Sequence, residues 1–169
     1  MNIPRVVRLA TLAALATACA PQSAAPPRPD ETAIRAALST ELAKFAPAIQ
    51  AKDAAAFGAL FTEDATWILP DASTFTGRAN IQAGAKNFFD TFAAFVIDET
   101  AIDRLIVVND SEAVMFAHAT YTLTETGKAP AKRVNPVADH WKKGADGVWR
   151  VSYELNADGP APTAAATKP

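Results

Sequence analysis

The sequence predicts one α+β domain, with helices packed on one face of a curved antiparallel sheet. Three observations carry this. Apolar residues recur at helical spacing up to about Phe95, the pattern then changes to four strand-like runs, and short turn-rich links separate those runs. At 169 residues, half of them hydrophobic, the chain suits a single core once its ends are set aside.

The first end reads as a secretory signal over residues 1–19. Arg5 and Arg8 are its only charges, and the apolar run from Leu9 to Ala16 is too short to span a bilayer. Leu15-Ala16-Thr17-Ala18-Cys19 resembles a bacterial lipobox, and Cys19 is the only cysteine, which makes it the expected site of lipid attachment. Ala16-Thr17-Ala18 also satisfies the small-x-small rule of ordinary signal cleavage, which would leave a soluble periplasmic protein. The expected location is therefore outside the cytoplasm, either as a lipoprotein held to the membrane only through Cys19 or free in the periplasm. Pro21, Pro26, Pro27 and Pro29 among small residues make 20–29 a tether, and Pro160, Pro162 and Pro169 give 159–169 the same unstructured character. The folded part runs from Asp30 to Asp158.

Within it, Asp30 caps a helix whose stripe is Ile34, Leu38, Leu42, Phe45 and Ile49, with a break expected near Lys44 to Ala46 because Pro47 donates no hydrogen bond. Asp53 starts a short helix through Phe61. A strand follows at Ala65 to Leu69, stopped by Pro70-Asp71. After a turn at Gly77, a third helix is expected to carry Ile81, Ala85, Phe88, Phe89, Phe92 and Phe95. The strands are then Val96 to Val108, Glu112 to Glu125, Lys132 to Lys143 and Val148 to Asn156, joined as an antiparallel meander.

Charge narrows the partners. The formal charge of −2 becomes −4 once Arg5 and Arg8 leave with the signal, and no Lys/Arg cluster exceeds Lys142-Lys143 or Lys132-Arg133. This argues against nucleic acid, which needs a broader basic surface.

Phe61-Thr62-Glu63-Asp64-Ala65-Thr66, then Pro70, Gly77 and a helix near Asn80-Ile81, resembles the opening of nuclear transport factor 2-like domains. Trp141-Lys142-Lys143, a Gly/Asp turn, Val148-Trp149-Arg150-Val151 and Asn156 resemble the closing hairpin of the ketosteroid-isomerase-like and SnoaL-like branches. The resemblance spans Asp30 to Asp158. It implies a cone-shaped, cystatin-like curved sheet with about three helices on its concave side and a hollow for a small apolar ligand. It also implies a homodimer through the open sheet face, near His140, Arg150 and Glu154. Activities in this superfamily are diverse, so fold does not settle function.

Ketosteroid isomerase uses an Asp base and an oxyanion hole of a Tyr and a protonated Asp. The resemblance places Leu69 at the base and Phe45 at the oxyanion Tyr, and only Asp139, after Pro136 and before His140, keeps its chemistry. Steroid isomerisation is therefore not expected.

Asp139 faces inward if Ala145-Asp146-Gly147 closes a three-residue hairpin loop with Gly147 left-handed. Regular pairing then sets Trp141 against Val151 and Asp139 against Tyr153. Val137, Trp141, Trp149, Val151 and Tyr153 share the apolar face, while Ala138, His140, Lys142, Arg150, Ser152 and Glu154 share the other. A carboxyl among aromatic rings has a raised pKa and can donate a proton, or it is simply a satisfied buried group. With Phe45, Trp67, Leu69, Phe88, Phe92, Trp141 and Tyr153 it forms the expected ligand-binding wall. The aromatic members are equally explained as core.

His118, with no carboxylate near it in sequence, reads as a packed or hydrogen-bonded histidine, and His140 falls on the polar face. The two give no metal signature, no Gly-x-Ser-x-Gly elbow is present, and neither metal nor cofactor is expected. Three readings remain: a noncatalytic binding domain for a small apolar molecule, an enzyme (lyase, hydrolase or isomerase) using Asp139 with Tyr153, or a structural dimer module with a filled core. An open pocket with one buried carboxylate favours the first, two converging polar groups beside a pocket the second, and a filled interior the third.

Overall fold

The computed structural model describes residues 29–157 and the backbone of 159–160. The signal, Cys19 and most of the tether lie outside the described residues, as do 161–169.

Helix α1 (Glu31–Leu42) starts where Asp30 accepts the Ala33 amide at 3.0 Å, and it buries Ile34 and Leu38. Helix α2 (Phe45–Gln50) follows after a turn at Ala43–Lys44. Pro47 cannot donate to the carbonyl four residues back, at Ala43, so the ladder fails there, at the near edge of the stretch expected from sequence. Asp53 caps helix α3 (Ala54–Ala59) through the Ala56 amide at 2.9 Å, and strand β1 (Phe61–Ile68) begins four residues earlier than expected.

Strand β2 (Thr74–Thr76) leads into helix α4 (Arg78–Phe89) through Gly77 at φ 84°, a conformation other residues avoid. Arg78 ties the helix to the sheet, its guanidinium donating to the Phe61 carbonyl at 3.0 and 2.6 Å.

The helix stops at Phe89, and Phe92 and Phe95 belong to strand β3 (Phe92–Asn109), which corrects the helical assignment of both. A register shift between Phe92 and Ala94 adds one residue, so two positions three apart both face inward. An interrupted strand has imitated a helical stripe.

Strands β4 (Glu112–Glu125), β5 (Ala131–Lys143) and β6 (Trp149–Asn156) complete the expected meander, in the sheet order β2-β1-β6-β5-β4-β3. One pairing departs from the antiparallel expectation: β1 runs parallel to β6. The chain leaves β1 through β2 and α4, restarts at the far edge with β3, and returns after three reversals in the same direction as β1. A two-residue strand β7 (Gly159–Pro160) pairs with Arg133 and Val134 of β5, so the stretch expected to be unstructured opens with paired backbone.

The curved sheet buries one face under the helices, where Leu38, Phe61, Ile81, Phe89, Met115, Trp141 and Val151 are fully enclosed. Phe116, Tyr153 and Leu155 are exposed. No described helix is long and apolar enough to cross a membrane.

Candidate functional site

The β5–β6 hairpin decides which side chains enter the interior. Its loop closes as the sequence predicts, with Gly147 at φ 78° and the Gly147 amide donating to the Gly144 carbonyl at 2.9 Å. Trp141 pairs with Val151, also as expected. Beyond that point the register shifts: His140 pairs with Tyr153, leaving Ser152 as an extra residue. The Ser152 hydroxyl lies 2.7 Å from His140 Nδ1 and donates to the His140 carbonyl at 3.0 Å, which holds this bulge against the facing strand.

The extra residue exchanges the faces of everything after it. Asp139 opposes Glu154 rather than Tyr153, and Tyr153 is 42% exposed while Glu154 is only 7% exposed. The placement of Tyr153 inside and Glu154 outside is thereby corrected. Asp139 itself is inside, at 2% exposure.

Above this pair lies a cavity of about 350 Å³. Phe45, Trp67, Leu69, Phe88 and Asp139 line it, from the α1–α2 junction, the end of β1, α4 and β5. Phe92 and Trp141 instead lie fully buried in the core, outside the lining, and Tyr153 takes no part. Phe45 packs edge-on against Phe57, Phe61 and Trp141, with ring centroids 5.5, 5.8 and 6.4 Å away. The interior is not filled, which removes the ground for a module with a solid core.

The cavity floor is polar and connected. Glu154 Oε1 accepts from Trp67 Nε1 at 2.9 Å and from Asn156 Nδ2 at 2.7 Å, and Asn156 Oδ1 accepts from Asn135 Nδ2 at 2.8 Å. Asp139 Oδ1 is buried without a hydrogen-bond partner among the described residues. Burial, and then the neighbouring Glu154 charge, holds the Asp139 carboxyl well above the ordinary range. The Trp141 indole N–H favours the ionised form but makes no hydrogen bond of good geometry. Burial also pushes Glu154 up, to about 7, against the hydrogen bonds from Asn156 and Trp67 that favour its charge. Glu154, with its donors in place, is therefore the member that ionises, and Asp139 stays protonated beside it.

The sequence placed Asp139 in the interior, where it lies, and did not place Glu154, Asn156 or Asn135 on the cavity floor. The expectation of a packed or hydrogen-bonded His118 holds, and the structure adds its partner. His118 borders the cavity, and its Nδ1 lies 2.9 Å from both carboxylate oxygens of Asp103 on the adjacent strand. A register shift between Ile102 and Arg104 marks Asp103 as the extra residue of β3. No sequence-local signal announces that contact.

Residues 42–152 match the model of the SnoaL-like domain family. No curated protein matches the chain. Many solved structures share its fold. A cystatin-like domain of unknown function from Nostoc punctiforme is 24% identical, covering 75% of this chain and 78% of that one, at a TM-score of 0.64. A ketosteroid isomerase-like protein from Erwinia carotovora atroseptica is 16% identical over 73% of this chain and 94% of that one, at 0.66. A hexachlorocyclohexane dehydrochlorinase from Novosphingobium barchaimii is 15% identical over 82% of this chain and 97% of that one, at 0.65.

Proposed function

The chain belongs to the SnoaL-like domain family, and from that premise we propose that it binds a small, mostly apolar molecule in its cone interior, with the polar end of the guest against Asp139 and Glu154. The observation that carries this reading is the apolar cavity of about 350 Å³ with two buried carboxyls at its floor. A hollow walled by hydrophobic side chains with a few convergent polar groups is the usual form of a small-molecule site. The domain is further proposed to work outside the cytoplasm, tethered through a lipid on Cys19, and to pair with a second copy through the open sheet face.

The test is occupancy. Native mass spectrometry of protein made in its own host is expected to show a copurified small molecule, and a Leu69→Trp variant, which fills the cavity, is expected to lose it. Equal retention by both proteins would overturn the reading.

A second reading has its own support. The convergence of Asp139 and Glu154 supplies a protonated and an ionisable carboxyl on one guest, the equipment for proton transfer in an elimination or isomerisation. Tyr153 has no role in it. One protein of similar fold is named a hexachlorocyclohexane dehydrochlorinase, and loss of hydrogen chloride is chemistry of that class.

A further inference from the structure

The charges around the cavity say more about the guest than its volume does. Among the residues lining it are the carboxyls of Asp71, Asp139 and Glu154, and no Lys or Arg. The remaining titratable side chains there are Tyr121 and His118, and His118 Nδ1 is already placed against Asp103. A guest bearing a carboxylate or phosphate would bring another negative group into a space with no cation to receive it. That repulsion, with no Lys or Arg among the described lining residues to offset it, disfavours anionic lipids and phosphate esters.

The hydrogen-bond accounting is equally one-sided. The protein gives Glu154 two donors, from Trp67 and Asn156, and gives Asp139 none of good geometry. Asn135 Oδ1 is a second buried acceptor without a partner among the described residues. What the floor lacks is a positively charged donor: the protein offers it only the neutral N–H groups of Trp67 and Asn156 and the Asp139 carboxyl's own proton, and two adjacent carboxyls are served best by a cation.

Resting on the binding reading above, we infer that the head group seated on Asp139 and Glu154 is a protonated amine, so that the guest is an apolar organic base. The ammonium arrives with its proton and pairs with the Glu154 carboxylate, and its charge draws the proton off Asp139 to solvent, which leaves two carboxylates against one ammonium on the cavity floor. The apolar body of the guest then lies against Phe45, Leu69 and Phe88.

Three probes with one ring system separate the possibilities: naphthylmethylamine, naphthylmethanol and naphthoate. They are titrated calorimetrically into the purified domain near neutral pH, in two buffers of different ionisation enthalpy. The amine is expected to bind at least about tenfold tighter than the alcohol, with release of up to about one proton, and naphthoate weakest of all. Asp139→Asn and Glu154→Gln are each expected to erase the amine's advantage while leaving the alcohol bound, which also shows that the variants are folded. Alcohol binding as tight as the amine, amine binding without proton release, or loss of both probes alike in both variants overturns the inference and leaves the binding reading standing. Failure of all three probes to bind overturns both.

Discussion

Asp139 and Glu154 stand opposite one another on β5 and β6, both buried, because Ser152 adds one residue to the strand between Val151 and Tyr153. Regular pairing would have given a carboxyl facing a phenol. The bulge gives two carboxyls, and much of the chemistry available to the cavity follows from that exchange.

The pair makes stability depend on pH with a definite sign. Glu154 binds its proton more tightly folded, at about 7, than at its ordinary value of 4.5, and Asp139 is shifted the same way. The stability associated with protonation is complete below the unfolded values and is lost as pH rises through the folded ones. For Glu154 the difference is equivalent to about 3 kcal/mol. Urea unfolding of the wild type is expected to show falling stability between about pH 4.5 and 7.5, and Glu154→Gln to flatten that fall. Parallel curves for the two proteins would refute it. Asp146, held down to about 2 chiefly by Arg150, acts in the opposite sense and only at more acid pH.

The bulge can be tested directly. Ser152→Ala removes the hydroxyl that bonds across to His140 and is expected to cost about 1 kcal/mol in chemical denaturation. It should also loosen the opposition of the two carboxyls. A carboxyl-selective NMR titration would then show the Glu154 midpoint moving, and an unmoved midpoint would mean that the backbone holds the bulge without Ser152.

Steroid double-bond migration is expected to be absent from the purified protein. Leu69 and Phe45, at the positions that the resemblance assigns to base and oxyanion Tyr, both line the cavity as apolar surface, and a missing donor alone can cost a factor of about 100 to 1,000. Measurable isomerisation of a standard enone steroid would reverse this.

Anchoring is a separate question with a separate readout. Cells given a labelled fatty acid are expected to label the wild type and not Cys19→Ala. Equal labelling would exclude Cys19 as the lipid site.

The sequence and the structure agree where local chemistry is decisive. Asp30 and Asp53 cap the helices they precede, Gly147 closes the hairpin with positive φ, Gly77 breaks the chain ahead of α4, and β4 has the bounds that its alternation indicates. Parity placed Asp139 inside correctly. The errors of facing share one cause. Ser152, the step after Phe92 and Asp103 each mark a register shift, and an extra residue in a strand leaves no mark in composition, yet it reverses the facing of every residue beyond it. Tyr153 and Glu154 were exchanged by one such step. The parallel β1–β6 pair was illegible for another reason: it joins segments about 87 residues apart, Trp67 and Glu154 among them, which only the closed fold brings together.

The interruption at Ala43–Lys44 sits directly over the cavity, since Leu42, Ala43, Phe45 and Ala46 all border it. A ceiling made of one unbroken rod would have to unwind its own ladder to let anything pass. Here Pro47 withholds one rung, so the two short pieces can shift against each other at a lower cost than the turns of one continuous helix could.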